Sequence, residues 1–283
     1  MKKKLVRLDK LIADRKLAES RTLAQHYIEH GRVSVEGQKV TKTSSQVSID
    51  SHITIDAPEK QWVSRGAYKL LKALDYFAID PSGKICIDIG ASTGGFTDVL
   101  LGRGAKTVYA VDVGYGQLAW KLRNDSRVVV MERTNARYLT TDMFGNEKAD
   151  IIVSDASFIS LKLLLKPMEK LLKPDGVMAV LVKPQFEVGK ENIGKGVVSD
   201  PKLHVSVIND LAGFINRDTN LQLFDATFSP IRGPEGNIEF LFLLGFAENT
   251  SMSRKILDAE QIVEKAGRET ITDEGRLMQN AEK

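Results

Sequence analysis

A glycine-rich turn between two apolar segments places the strongest constraint on what this chain can fold into. Residues 85–101 read ICIDIGASTGGFTDVLL, an apolar run that breaks into small residues and then becomes apolar again. This order predicts a β-strand, a tight turn and an α-helix, and glycines let the main chain approach a ligand without an intervening Cβ. A P-loop is excluded because no Gly-Lys-Ser/Thr follows. A dinucleotide fingerprint fits poorly, since Ser92 stands where its middle glycine should be.

Strand-like and helix-like segments alternate from residue 64 onward. The predicted strands are 84–89, 107–112, 127–131, 150–155, 176–183, 222–229 and 238–246. Such alternation predicts an α/β fold with a doubly wound, mostly parallel sheet and helices on both faces. The loop SPIRGPEGN is too short for a parallel crossover, so the last two strands are expected to form an antiparallel hairpin at the sheet edge. Seven strands with this terminal hairpin resemble the Rossmann-like architecture of class I methyltransferases.

The glycine-rich turn carries features typical of a site for S-adenosylmethionine. Asp88 lies just before the glycines, where a carboxylate can hold the methionine ammonium group. Asp112 ends the second predicted strand, where an acidic residue can accept hydrogen bonds from the two ribose hydroxyls. The alternative is a turn of purely structural use. The residues predicted to contact the cofactor here are Asp88, Gly90, Ala91, Ser92, Gly94, Gly95, Phe96, Thr97 and Asp112.

Charged residues stand at the ends of other strands of the predicted sheet. Asp155 ends the fourth strand, and Lys183 ends the fifth after six apolar residues. Ligands of doubly wound sheets bind at the carboxyl ends of the strands. Glu239 lies near the beginning of the last strand, which is antiparallel, so it is expected at the same edge. Lys69, on a helix before the first strand, is predicted to complete a cluster of two carboxylates and two ammonium groups.

Such a cluster suits methyl transfer to a hydroxyl group. An alcohol is a poor nucleophile near neutral pH and needs a group that orients it and accepts its proton. Lys183 is predicted to be that group, and its neutral form is favoured by burial or by a nearby cation such as Lys69. Asp155 and Glu239 would position the lysines. Methylation of a base amino group is the second alternative, but the motif DASF lacks both prolines of the Asn/Asp-Pro-Pro-Tyr/Phe motif of such enzymes.

The first sixty residues have a composition and an order of their own. They carry 12 Lys and Arg against 8 Asp and Glu, whereas the remainder carries 28 against 29. A small basic module of this kind is suited to a polyanion. The run RLDKLI predicts one short helix, and residues 20–31 predict a second one that Ser20 caps and Gly31 ends. The run RVSVEGQKV then predicts a β-hairpin that turns at Glu36-Gly37.

This order resembles the small RNA-binding module of ribosomal protein S-four. The resemblance rests on RLDKLI…ESRTLAQHYIEHGRVSVEGQKV and implies RNA binding by a small α+β domain. The alternative is a helical docking domain that contacts only protein. Basic side chains on and beside the two helices can reach phosphates. The residues predicted to contact RNA are Arg7, Lys10, Arg15, Lys16, Arg21 and Arg32, together with Arg65 in the next segment.

Almost the whole chain resembles the TlyA family, historically called haemolysin A, and the wider FtsJ-like ribose methyltransferases. The resemblance rests on AYKL, DIGASTGGFTD, VSDASF, LVKPQFE and NIEF. It implies S-adenosylmethionine as the methyl donor and the 2′-hydroxyl of a cytidine in ribosomal RNA as the acceptor. It assigns the family's Lys-Asp-Lys-Glu tetrad to Lys69, Asp155, Lys183 and Glu239. Phe158 matches the family's aromatic residue near the target nucleotide or the methionine end.

The resemblance also divides the chain into parts. The predicted parts are an RNA-binding domain (1–58), a linker (59–63), a methyltransferase domain (64–250) and a terminal helix with a loose end (251–283). In the linker, family members often have Arg-x-Trp-Val where this chain has KQWV, so planar arginine contacts are lost. Trp62 is expected either to pack between the domains or to contact RNA. Residues 187–204 are predicted to form a mobile loop that RNA orders.

Composition excludes several other classes of protein. The single cysteine, Cys86, rules out an internal disulfide framework, and four scattered histidines give no predicted metal site. The longest uncharged apolar run, 240–247, is far shorter than the ~18 residues of a membrane span, which argues against a pore-forming haemolysin. These features predict a cytoplasmic protein. A ribosome-binding protein without catalytic activity is the remaining alternative, and the intact tetrad argues against it.

Overall fold

The computed structural model describes residues 5–15, 17–18, 21–29, 31–56, 62–189, 193, 196–249 and 252–270. The chain divides into two compact units, residues 1–61 and 62–283. The division falls inside the segment predicted to be the linker. Trp62 begins the larger unit and packs against one of that unit's apolar clusters. The further role predicted for Trp62, packing between the domains or contact with RNA, stays a prediction.

The described residues of the smaller unit form two helices and five short strands. The helices α1 (Leu8–Asp14) and α2 (Arg21–Glu29) pack together, as predicted, although Ser20 lies outside the described residues. The predicted hairpin is also confirmed, with β2 at Val33–Val35 and β3 at Gln38–Val40. The sequence prediction missed β1 (Leu5–Arg7), β4 (Gln46–Ser48) and β5 (Ile53–Ile55). All five strands have three residues, too few for a clear alternation of period two, and β2 and β3 were predictable only because the Glu36-Gly37 turn joins them.

A fully buried carboxylate, Asp9, links the two helices of the smaller unit. Arg7 donates to it through Nε and Nη2 at 3.1 and 2.9 Å, and Arg21 donates through the same two nitrogens at the same distances. Gln25 donates at 2.8 Å, as does the main-chain N–H of Lys10. The hydrogen bond from Arg7, the largest of these influences, holds the pKa of Asp9 well below its usual range. Charge-assisted bonds of this kind are about twice as strong as neutral ones.

We expect Asp9→Asn to destabilise the smaller unit by about 3 kcal/mol, because two guanidinium groups then face an amide that cannot balance their charge. Denaturant unfolding of the full chain, followed through hydrogen exchange of the α1 amides, measures the loss. Asp14→Asn, at the exposed end of the same helix, is the matched control and should change little. Equal protection of α1 in both variants would contradict this account of Asp9.

Within the part of the larger unit that the structure describes, the strands form one seven-stranded sheet. Its strands are β6 (Ile85–Ile89), β7 (Thr107–Val111), β8 (Val128–Met131), β9 (Ala149–Ser154), β10 (Leu172–Val182), β11 (Leu221–Phe228) and β12 (Phe240–Phe246). They lie side by side in the order β11-β12-β10-β9-β6-β7-β8. The strands from β6 to β10 pair in parallel, and β12 is antiparallel to both of its neighbours. The predicted seven strands and terminal hairpin are confirmed, with β11 rather than β12 at the edge.

Helices cover both faces of this sheet, as the alternation predicts. The helices are α3 (Ala67–Tyr76), α4 (Gly95–Gly102), α5 (Trp120–Arg123), α6 (Lys162–Leu171), α7 (Pro201–Asp218) and α8 (Ala259–Glu269). The first three contribute buried side chains such as Leu70 and Leu100 to one apolar cluster, and the other three contribute side chains such as Leu165 and Ile208 to a second. The sheet thus lies between two cores, and burial of this apolar surface is the main stabilising term.

The terminal helix begins later than predicted. Asp258 caps α8 by accepting a hydrogen bond from the main-chain N–H of Gln261 at 2.9 Å. Ile256 and Leu257 therefore precede the helix, and Ile256 is 97% exposed. The predicted helix therefore starts only at Ala259, because the cap fixes where helical geometry begins. Among helices of the described residues, none has the length and apolar composition needed to cross a membrane.

Candidate active site

The four tetrad residues predicted from strand ends meet at one edge of the sheet. Asp155 directly follows β9, and Lys183 directly follows β10. Pairing of Val182 with Phe240 places Glu239 beside Lys183, because β12 runs in the opposite direction. Lys69 reaches the same place from the first turn of α3. Strand direction and register thus bring together residues that are far apart in the chain.

Alternating charges connect the tetrad as a chain of ion pairs. Lys69 Nζ lies 2.6 Å from Glu239 Oε2 and 3.4 Å from Asp155 Oδ2. Lys183 Nζ lies 2.6 Å from Asp155 Oδ1. Glu239 is fully buried, both lysine side chains are less than a tenth exposed, and Asp155 is the most accessible at 20%. The open end of the cluster is therefore the Asp155–Lys183 pair.

Burial and charge have opposite effects on the pKa values of Lys69 and Glu239, the pair at the buried end of the tetrad. Burial by itself would lower the pKa of Lys69, but the carboxylates of Asp155 and Glu239 outweigh it, and this pKa is raised. Burial raises the pKa of Glu239, against the opposing charge of Lys69. Lys69 therefore stays positively charged, and it supplies a fixed cation beside Asp155.

Lys183 has an oxygen neighbour for each N–H of an ammonium group. Besides the Asp155 carboxylate, Nζ donates to the main-chain oxygen of Asp155 at 3.0 Å and to Ser157 Oγ at 2.7 Å. Ser157 is not among the predicted site residues, although it belongs to the motif DASF. A hydroxyl can accept or donate, so Ser157 can hydrogen-bond with Nζ in either direction.

A cavity of about 430 Å³ opens beside this pair. Of the predicted site residues, it is lined by Arg65, Lys69, Gly90, Ala91, Ser92, Gly95, Phe96, Asp155 and Lys183. Ser64, Ser157 and Arg232 also line it, and spacing along the chain gives no signal for them because they lie in irregular segments. Glu239 does not line the cavity, since it is buried behind Lys69.

The glycine-rich turn has the close main-chain approach that its sequence predicts. Gly90 has φ +81°, and a Cβ there would lie 2.9 Å from the main chain of Ala156. Gly94 has φ +95°, and its Cβ would lie 2.2 Å from Leu122. Both positions therefore require glycine. The turn is held against the segment that carries Asp155.

A second cavity, of about 400 Å³, adjoins the first and shares Gly90, Ser92, Asp155 and Ser157 with it. Asp112 lies in its wall, where its carboxylate accepts hydrogen bonds from the main-chain N–H groups of Ser92 and Gly114 at 2.8 and 2.7 Å. These bonds fix the carboxylate at the cavity surface. Each oxygen keeps a lone pair for a hydroxyl donor.

Three predicted cofactor residues differ in their exposure. Asp88 and Thr97 are fully buried, line neither cavity, and are joined by a 2.7 Å hydrogen bond from the Thr97 hydroxyl. Contact of Asp88 with the methionine end thus stays a prediction. Phe158 is 91% exposed with φ +63°, an unusual conformation outside glycine, and its ring lies 5.3 Å from that of Phe186. Its predicted role near the nucleotide also stays a prediction.

Burial raises the pKa of Asp88 to about 7, while the Thr97 hydroxyl opposes this shift and Asp155 adds to it. An unfolded aspartate has a pKa near 3.9, so between about pH 4 and pH 7 the folded protein holds a proton that the unfolded chain has lost. We expect this group to lower the free energy of unfolding by about 4 kcal/mol as the pH rises through that window. Denaturant unfolding at several pH values measures it.

Asp88→Asn should flatten this pH dependence, because the amide does not titrate. Asp75→Asn is the matched control, since Asp75 is 60% exposed and pairs with Arg103 at the surface. It should leave the pH dependence as it is in the unmodified protein. The assignment to Asp88 is wrong if both variants follow the same pH curve.

The predicted RNA-contacting residues of the smaller unit divide into two groups. Arg7 and Arg21 bind Asp9, and Arg15 donates to the main-chain oxygens of Ile49 and Ser51. These three hold the fold of the unit, and their contact with RNA stays a prediction. Lys10 is exposed, Arg32 is partly exposed, and Lys16 lies outside the described residues.

Comparisons with known proteins agree with both parts of the chain. Residues 62–246 match the family of FtsJ-like methyltransferases, and residues 6–53 match the S4 domain. The 16S/23S rRNA (cytidine-2′-O)-methyltransferase TlyA of Mycobacterium tuberculosis is 45% identical over 254 residues, which cover 89% of this chain and 94% of that protein. Hemolysin A of Brachyspira hyodysenteriae is 42% identical, with 83% of this chain and 98% of that protein covered.

A solved structure has the same architecture. A protein of Streptococcus thermophilus described as a hemolysin superposes with a TM-score of 0.68 at 38% identity, covering 99% of both chains. The sheet order, the glycine-rich turn after β6 and the two adjoining cavities define a class I methyltransferase. The chain belongs to the FtsJ-like methyltransferases and, among them, to the TlyA family.

Proposed function

We propose that this protein transfers a methyl group from S-adenosylmethionine to the 2′-hydroxyl of a cytidine in ribosomal RNA. The observation that carries the proposal is the Lys-Asp-Lys-Glu ion-pair chain, whose Asp155–Lys183 end opens into a cavity. A hydroxyl acceptor needs a group that orients it and takes its proton, and this cluster provides one. The name of the Mycobacterium tuberculosis relative supports the same acceptor.

The residues of the second cavity fit S-adenosylmethionine. Gly90 lets the main chain approach the ligand, the Asp112 carboxylate is oriented for ribose hydroxyls, and the cavity continues toward Asp155. Asp88 Oδ1 lacks a hydrogen-bond partner within the described part of the chain, although it is buried. We propose that Asp88 shapes the turn through Thr97, and that Gly90 and Asp112 contact the cofactor. When bound, this cofactor supplies an electrophilic methyl group.

The tetrad residues divide the work between orientation and proton transfer. Lys183, in its neutral form, accepts the proton of the acceptor hydroxyl, and Asp155 and Ser157 hold its Nζ in place. Lys69 keeps its charge and orients the Asp155 carboxylate from the other side. Glu239 in turn fixes Lys69. Only Lys183 is proposed to change its protonation state.

The smaller unit is proposed to hold the RNA. Its match to the S4 domain supports this role, and Lys10 and Arg32 are the predicted contacts with side chains available at the surface. Phosphate contacts of this kind position a protein on RNA without reading its sequence. The predicted mobile loop over residues 187–204 is wrong for its second half, because residues 201–204 begin α7 and the Asn237 side chain bonds Gly196 and Val198. Residues 190–192 and 194–195 lie outside the described residues, and we propose that RNA protects this part of the segment from protease, which a digest with and without added RNA tests.

Transfer of labelled methyl groups to ribosomal subunits tests the proposed function. Subunits isolated from cells lacking this protein serve as acceptors, and the labelled RNA is digested to nucleosides. We expect the label in 2′-O-methylcytidine, and the digest also locates the modified nucleotide. Label on a base nitrogen would replace the proposed acceptor with an amino group. No label on either subunit, with binding of the cofactor confirmed, would contradict ribosomal RNA as the substrate.

A further inference from the structure

The loop before β12 brings one more cation into the catalytic cavity. Arg232 lines this cavity together with Lys69, Asp155 and Lys183. We propose that Arg232 binds the phosphate on the 3′ side of the acceptor nucleotide and so positions its ribose. This inference rests on the proposed function.

The chemistry of the acceptor requires a cation near the tetrad. The 2′-hydroxyl and the 3′-phosphate are attached to neighbouring carbons of one ribose, so a cavity that holds the hydroxyl also receives the phosphate. The tetrad itself has no charge to spare, because Lys69 and Lys183 both face carboxylates at 2.6 Å. The charge that balances the phosphate has to come from outside the tetrad, and among the described residues the two other cations that line the cavity are Arg65 and Arg232.

Arg232 has this charge available. Its Nη1 donates to the main-chain oxygen of Gly236 at 2.9 Å, which anchors the side chain without neutralising it. Across the described residues, no carboxylate forms an ion pair with Arg232, and its Nε is shielded from solvent without a hydrogen-bond partner. A shielded N–H of this kind is costly unless a ligand provides an acceptor. Guanidinium groups bind phosphate through two parallel N–H groups.

Hydrogen bonds and close contacts hold the loop that carries Arg232 against the tetrad. The N–H of Gly233 donates to the main-chain oxygen of Asn237 at 2.9 Å, and the Asn237 side chain bonds Val198 and Gly196 at 2.9 Å each. A Cβ on Gly233 would lie 2.6 Å from Glu239 Oε1, so the loop contacts the buried end of the tetrad closely. Arg232 is therefore fixed relative to the catalytic lysine, as a positioning residue must be.

The test compares Arg232→Gln with Arg217→Gln. Arg217 is exposed in the last turn of α7 and does not line the cavity, so it controls for the loss of one charge. Methyl transfer to ribosomal subunits is measured at several salt concentrations. We expect Arg232→Gln to raise KM for the subunits about tenfold and to reduce the slope of log KM against log salt by about one. Arg217→Gln should leave both KM and the salt slope unchanged. Neither variant should change the affinity for S-adenosylmethionine.

A second measurement isolates the 3′-phosphate from general attraction to RNA. Cytidine 3′-monophosphate should inhibit the unmodified protein more strongly than cytidine 5′-monophosphate, and Arg232→Gln should remove the difference. Arg232→Lys, which keeps the charge without the paired donors, should retain part of it. Equal behaviour of the Gln variants at positions 232 and 217, or equal inhibition by both nucleotides in the unmodified protein, would overturn the proposal. Label found away from the ribose would instead overturn the proposed function.

Discussion

Replacing Lys183 with alanine is expected to lower the rate of methyl transfer by about a thousandfold, within the range found for general bases. The side chain lies 2.6 Å from the Asp155 carboxylate at the open end of the tetrad, where the acceptor hydroxyl is proposed to bind. Removal of Nζ leaves the hydroxyl without a proton acceptor. Affinity for S-adenosylmethionine should change less than about threefold, since the residue is proposed to act on the acceptor. Single-turnover methylation and cofactor titration measure the two effects.

Lys183→Arg separates two explanations of that loss. Arginine keeps the positive charge but does not give up its proton in proteins, so it cannot act as a base. We expect the arginine variant to be as inactive as the alanine variant. Substantial recovery with arginine would show that the charge of Lys183 orients the acceptor and that another group takes the proton. Lys162→Ala, which removes a surface lysine paired with Asp210, controls for changes in charge.

Gly90→Ala is expected to lower affinity for S-adenosylmethionine by about a hundredfold and to destabilise the larger unit by about 3 kcal/mol. The left-handed φ of +81° disfavours any side chain, and the added methyl group would lie 2.9 Å from the main chain of Ala156. The turn and the segment carrying Asp155 must then move apart. Thermal unfolding and calorimetric titration with the cofactor provide the two measurements.

Gly83→Ala is the matched control for this substitution. Gly83 also has a left-handed φ, of +70°, but no atom lies within 4 Å of the position that its Cβ would take. It should therefore show only the conformational cost, about 1 kcal/mol, with unchanged affinity for the cofactor. Similar losses in the two variants would mean that the backbone conformation, and not the contact with Ala156, determines the effect.

Periodicity along the chain was enough to predict the sheet but not all of its limits. Six of the seven strands begin and end within two residues of their predicted positions, because their apolar runs are bounded by polar residues or glycine. β10 begins at Leu172, four residues before its prediction, because its first half contains Pro174 and Gly176. The pairing register of β9 with β10 shifts over that same segment, between Leu172 and Val177.

Positions at strand ends predicted the tetrad, whereas contacts made by loops were not predictable. The rule that ligands bind at carboxyl ends of strands selects Asp155 and Lys183 without a structure. Ser157 and Arg232 come from irregular segments, where no period relates spacing to direction. Arginines of the smaller unit show a further limit, because an arginine that binds Asp9 looks the same in sequence as one that would bind RNA.

The position of β12 inside the sheet has a consequence for the time at which a newly made chain can become active. Glu239 and β12 are synthesised after the other six strands of this sheet, yet β12 must occupy the place between β10 and β11. Until it does, β11 has no partner in the sheet and Lys69 lacks its buried counter-ion. A chain still lacking these residues can contain three members of the tetrad but cannot hold them in register. Activity therefore begins only when synthesis of the methyltransferase unit has passed its last strand.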